Sequence, residues 1–184
     1  ACAYLEEFAA PWVVKTDGLA AGDGRLQPVA HYAIPLRRAL AGGNVETAAQ
    51  LLGRPFEARG PVVQGDQRGR LIGFPTANVE VSGQICLPAD GVYAGWLRGV
   101  GGDAAPQQWP AAISVGTNPT FDDVPQRVIE AYALGETELD LYDQTVAVDF
   151  VQKVRGMQAF ASADVLVEAM HADVQQVERI LGLS

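Results

Sequence analysis

The stretch "GRLIGFPTANVEV", residues 69–81, decides how the chain is read. Gly69 and Gly73 give it the look of a phosphate loop, but no Gly-Lys-Ser/Thr follows, so the P-loop pattern is absent. No strand–GxGxxG–helix fingerprint for a dinucleotide appears either. Pro75 fixes φ and lacks an N–H, which places it at a strand entry or an edge. Beyond it an alternating segment begins, in which Thr76 and Asn78, two residues apart, point to the same face. Their oxygens are hard and neutral. Mg²⁺ takes hard oxygens in octahedral geometry, keeping waters and accepting phosphate oxygens from a nucleotide. A Thr-plus-Asn pair is therefore a minimal anchor for a Mg²⁺-nucleotide. Just upstream, "VVQGDQRGR" interleaves Gly65 and Gly69 with Arg68 and Arg70, and glycine backbone lets N–H groups approach a phosphate closely. The same residues also read as a glycine-rich hairpin entering an edge strand. Taken alone, the stretch leaves both readings open.

Working outward, the texture changes near residue 55. After it the hydrophobic period is two. "GVYAGWLRGV", "WPAAISVGTNPTF", "RVIEAYALG" and "TVAVDFVQKV" alternate or run apolar, rich in β-branched and aromatic residues. "LPADG", "GVGGDAAPQQ", "NPTFDDVPQ" and "DLYDQ" separate them as turns. Short strands with no helices between them predict an antiparallel barrel or sandwich. Before residue 55, "PLRRALAGGNVETAAQLLG" predicts two short helices broken at Gly42 and Gly43, with Asn44 capping the second and Gly53 ending it. Residues 16–30 read as loop. At the other end, Ser162 can cap a helix whose Leu166, Ala169, Met170, Val174, Val177 and Leu181 fall on one face, with Gly182 as terminator. That face suits packing on the barrel.

Of the 184 residues, 48% are hydrophobic, enough for a sizeable core, and no run approaches the ~18 apolar residues of a membrane span. A net charge of −9 argues against a nucleic-acid surface but not against one small phosphorylated ligand held by a metal and backbone N–H groups. Cys2 and Cys86 make no metal spacing and read as reduced thiols of a cytoplasmic protein. The opening "ACAYLEEFAAPWVV" does not read as a signal peptide.

Glu130 lies inside the apolar strand "RVIEAYAL". A carboxylate there costs free energy unless paired or solvated. Val128, Glu130 and Tyr132 share one face and Ile129 and Ala131 the other, so Glu130 is either on a solvent face or in a cleft. In a cleft beside a nucleotide it could take the proton of an alcohol attacking the γ-phosphate.

At this point the chain resembles the riboflavin kinase family, above all the kinase module of bacterial bifunctional riboflavin kinase/FAD synthetases. "GRPFEARGPVVQGDQRGRLIGFPTANV", "LPADGVYAGWL", "AISVGTNPTF", "RVIEAYAL", "DLYDQTVAVDFVQKVRGMQAF" and the terminal helix come in family order over residues 53–181. The resemblance implies a mainly β fold: a six-stranded antiparallel Greek-key barrel with a C-terminal helix and a short helical N-terminal appendage. It implies transfer of the ATP γ-phosphate to the 5′-hydroxyl of riboflavin, giving FMN. Thr76 and Asn78 match the positions that meet Mg²⁺ and nucleotide phosphate. Glu130 matches the catalytic carboxylate, and the loop carrying Gly65, Gly69, Arg70, Gly73 and Pro75 matches the flap over ATP. "GTNPTF", residues 116–121, matches a signature turn. No flavin-contacting residue is assigned. "DLYD" stands where the family usually reads Asp-Leu-Tyr-Gly, and Asp143 tolerates the left-handed turn better than most residues.

Residues 1–55 are expected to be a remnant of the family's nucleotidyltransferase domain, partly helical, and 56–184 the kinase barrel. "HYAIPLRRAL" falls where the family has Ser-Ser-Thr-x-Ile-Arg, and His31 and His171 make no His-x-Gly-His motif. FMN without FAD is the expectation, with no nucleic-acid or membrane partner; oligomeric state is open. A non-catalytic flavin- or nucleotide-binding module, or the kinase fragment of a bifunctional FAD synthetase, is the alternative. Intact Thr76, Asn78 and Glu130 favour an enzyme.

Overall fold

A computed structural model describes residues 30–65, 69, 72–81, 85–100, 107–118, 126–136 and 139–183. Arg68, Arg70, Cys2, the 16–29 loop and positions 119–121 of the signature turn lie outside these. Six strands follow two helices: α1 Ala30–Ala41, α2 Val45–Leu52, β1 Phe56–Val63, β2 Ala77–Val79, β3 Gly91–Gly99, β4 Gln108–Asn118, β5 Gln126–Ala133 and β6 Thr145–Arg155, then α3 Ala163–Leu181.

The strands close into a barrel in the order β1-β2-β5-β4-β3-β6, every neighbour antiparallel. β3, β4 and β5 form a meander, and β6 returns beside β3, the Greek-key arrangement expected from the resemblance. The period-two pattern explains the closure. Tyr93, Leu97, Ala111, Ile113, Val115, Ile129, Ala131, Val148 and Phe150 alternate inward and are at most 1% exposed. Phe150 lies edge-on to Tyr93 at 5.5 Å and tilted to Phe56 at 5.9 Å. Closure also needs close backbone approach. A Cβ at Gly60 would strike the Glu80 carbonyl, and one at Gly95 the Asp149 carbonyl.

The helix signals read from the sequence are met. Asn44 accepts from the Thr47 N–H at 2.9 Å, and Gly53 is left-handed at φ 70°. Ser162 accepts from the Val165 N–H, and Gly182 ends α3 at φ 70°. Asp143 takes φ 60° in the "DLYD" turn. One boundary differs: α1 begins at Ala30, five residues before the expected start, and holds Pro35 inside it. The ring forfeits the backbone bond to the residue-31 carbonyl. Tertiary packing supports the helix beyond its propensity. Leu40, Val45 and Ala48 join the same buried cluster as the barrel core. The Leu40 carbonyl also accepts from the Ala89 N–H at 2.8 Å.

Candidate active site

Register builds the site. Asn78 on β2 stands opposite Glu130 on β5, Glu130 opposite Ser114 on β4, Ser114 opposite Val92 on β3, and Val92 opposite Arg155 on β6. Directly opposed residues of antiparallel strands share a face. The residues flanking Glu130 in β5, Ile129 and Ala131, are fully buried in the core. The belt Asn78–Glu130–Ser114–Val92–Arg155 therefore lies on the outer face of the barrel.

α3 packs beside that belt, against β3, β4 and β6. Between them is a cavity of about 490 Å³ lined by all five belt residues, by Gly69, Ile72, Phe74, Thr76, Ala112, Tyr132, Met157, Gln158 and Phe160, and by Leu166, Met170, Asp173 and Val174 of α3. Arg155 donates through Nε and Nη2 to the carboxylate of Asp173 at 2.8 and 2.7 Å. Its guanidinium also lies 5.5 Å from the centre of the Phe160 ring. Phe74 packs edge-on between Tyr132 of β5 and His171 of α3, at 5.2 and 5.0 Å. This stack joins the segment leading into Thr76 to both walls of the cavity.

A second cavity, of about 340 Å³, opens at the mouth of the barrel. Val62, Leu97, Ala131 and Ala133 form its floor, and Glu136, Leu139, Asp140, Leu141 and Tyr142 of the β5–β6 connection form its rim. Pro75, Thr76, Ala77 and Asn78 complete it. Thr76 and Asn78 thus line both cavities, and short β2 is the partition between them. Each cavity falls in the ~300–1,000 Å³ range of small-molecule sites.

The residues singled out from sequence are drawn together unevenly. Thr76, Asn78 and Glu130 converge, with Glu130 half-buried at the partition and already engaged by a partner. Pro75 sits at the entry of β2 and Gly69 at the edge of the larger cavity. Gly65 packs on Asn78, and Gly73 takes φ 87° in the turn before Phe74. Ser114, Tyr132, Arg155 and Asp173 were not picked out. Asp173 carried a signal: it interrupts the apolar stripe of α3, between Met170 and Val177, where a carboxylate needs a partner.

Among the described residues, no group of three or more His, Cys, Asp or Glu could hold a metal ion. The hydroxyl of Thr76 and the amide oxygen of Asn78 are two hard oxygens at the partition. That set fits a cation that completes its shell with water and phosphate oxygens. No helix among the described residues is long and apolar enough to cross a membrane.

Fold and site together define a closed antiparallel barrel with two chambers that meet at one strand. The family model for riboflavin kinase (flavokinase) matches residues 52–181, and the chain belongs to that family. It is 38% identical over 149 residues to the bifunctional riboflavin kinase/FMN adenylyltransferase of Escherichia coli K12, covering 81% of this chain and 45% of the relative. The protein of the same name from Bacillus subtilis is 32% identical over 78% of this chain and 44% of its own length. The chain thus spans about half the length of these curated relatives. Among solved structures, riboflavin kinase from Trypanosoma brucei superposes with a TM-score of 0.54 at 30% identity, over 70% of this chain and 80% of that one. A Streptococcus pneumoniae structure titled as a macrolide-efflux protein superposes with a TM-score of 0.71 at 37% identity, over 79% of this chain and 46% of that one.

Proposed function

We propose that this chain transfers the γ-phosphate of ATP to the 5′-hydroxyl of riboflavin, giving FMN and ADP. The observation that carries the reading is the shared partition: Thr76 and Asn78 face both chambers, and Glu130 stands beside Asn78 in the larger one. Such a wall suits a reaction in which one group passes from a donor on one side to an acceptor on the other. The larger chamber, with Phe74, Tyr132 and Phe160, suits a flat aromatic ring. The barrel-mouth chamber takes the nucleotide, its triphosphate directed at the partition.

In this reading Glu130 accepts the proton of the ribityl hydroxyl as that oxygen attacks. The new O–P bond forms as the bond from the γ-phosphorus to the bridging oxygen breaks, and ADP leaves with the electron pair. Thr76 and Asn78 would hold Mg²⁺, which when bound would offset charge on the phosphate oxygens. Pro75 borders the chamber that takes the nucleotide, and Gly69 borders the larger one. His31 and His171 supply no His-x-Gly-His motif for adenylyl transfer. The test is incubation with riboflavin, ATP and Mg²⁺, followed by chromatography. FMN is the expected product, and none above a no-enzyme control would overturn the reading.

A further inference from the structure

Gly65 lies two residues beyond the end of β1, whose last residue, Val63, is paired with Asn78. The backbone at Gly65 crosses directly over the Asn78 side chain. A Cβ placed there would lie 2.5 Å from Cγ and 2.6 Å from Oδ1 of Asn78, and closer still to Nδ2. Conformational freedom is not what glycine supplies, because Gly65 is not among the residues with positive φ. Alanine could adopt its backbone but not its space. Nor can the clash be relieved by moving β2, since Asn78 is held in register by Val63 on one side and Glu130 on the other. The amide itself would have to rotate away.

We propose that Gly65 is a positioning residue for Asn78: its missing side chain is the seat against which the Asn78 amide is held toward the shared wall of the two chambers. This rests on the reading above, in which that amide oxygen meets metal and phosphate. It differs from a loop glycine presenting its own N–H to phosphate, because the effect of Gly65 then runs entirely through Asn78.

A double-mutant cycle separates the two. Gly65→Ala, Asn78→Ser and the double variant are compared by calorimetric binding of ADP with and without Mg²⁺, which needs no turnover, and by the Mg²⁺ dependence of FMN formation. Riboflavin affinity, from flavin fluorescence, and thermal midpoints control for damage to the fold. Gly65→Ala is expected to weaken the Mg²⁺-dependent part of ADP binding on the order of tenfold or more while riboflavin affinity stays within twofold. Asn78→Ser is expected to weaken it comparably. Serine lacks the amide and keeps one atom beyond its own Cβ, Oγ, which can turn to another rotamer away from the added Cβ, so Gly65→Ala should cost nothing further in that background. Multiplying losses in the double variant, or an equal fall in riboflavin affinity, would overturn the proposal while leaving the role of Asn78 intact. A silent Asn78→Ser would sink that role as well, and with it any action of Gly65 through Asn78.

Discussion

Thr76→Val and Asn78→Leu keep approximate side-chain shape and delete the two oxygens common to both chambers. Each is expected to raise the Mg²⁺·ATP requirement for turnover on the order of 10–10²-fold while riboflavin dependence changes little. Separate titrations of the two substrates check this, and a change confined to the riboflavin titration would show that the pair does not serve metal and phosphate. Tyr93 offers a test of residue-level electrostatics away from the chemistry. Burial pushes its pKa up to about 12; Arg127 opposes the shift, and the negative charges of Asp90 and Glu46 add to it. Its hydroxyl donates to the Ala89 carbonyl at 2.5 Å. A raised folded-state value means the neutral phenol stabilises the fold fully below pH 10, and that contribution is lost as pH rises through about 12. Tyr93→Phe should therefore show a flatter loss of stability from pH 10 to 12 than the parent in chemical denaturation. Parallel curves would refute the linkage.

At the scale of elements, two docking contacts matter most. α1 meets the barrel through Leu40, which is 1% exposed within the common core. Leu40→Ala is expected to destabilise the whole chain by about 2–5 kcal/mol, seen as a lower denaturant midpoint of one cooperative transition. A separate early transition, with the barrel unmoved, would make the helices an independent appendage. α3 meets the barrel through Asp173 and Arg155, whose side chains are 10% and 20% exposed. Removing one partner leaves a charge unpaired, so Asp173→Ala should cost about 3 kcal/mol of stability. It should also weaken flavin binding more than nucleotide binding, since both residues line only the larger chamber. These elements were unequally legible in the sequence. Caps and periodicity are local, so Asn44, Gly53, Ser162 and Gly182 marked their helices directly. Pro35 misled, because its cost to α1 is outweighed by packing that no local pattern records. The pairing of three-residue β2 with both β1 and β5 is non-local and was not legible; only the six-stranded Greek-key barrel as a whole came from the family resemblance.

Over the whole molecule, the barrel turns alternation into an inner core and an outer belt. Inward residues make one core, and the outward row Asn78–Glu130–Ser114 lines one cavity because β2, β5 and β4 lie side by side in the sheet. The individual residues Thr76, Asn78 and Glu130 were visible in the sequence. That they share a partition between two cavities was not, since it depends on which strands are neighbours. The same holds for Arg155, distant in sequence yet on the same belt.

In the proposed reaction Glu130 activates an acceptor in one chamber toward a phosphoryl group presented from the other. Glu130→Gln keeps the size of the side chain and removes its basicity. The most direct measurement is the rate of FMN formation by Glu130→Gln at saturating riboflavin and Mg²⁺·ATP, with riboflavin and ADP binding measured alongside. A fall on the order of 10²–10⁴ in rate is expected, with both affinities largely kept. Turnover near that of the parent would contradict it.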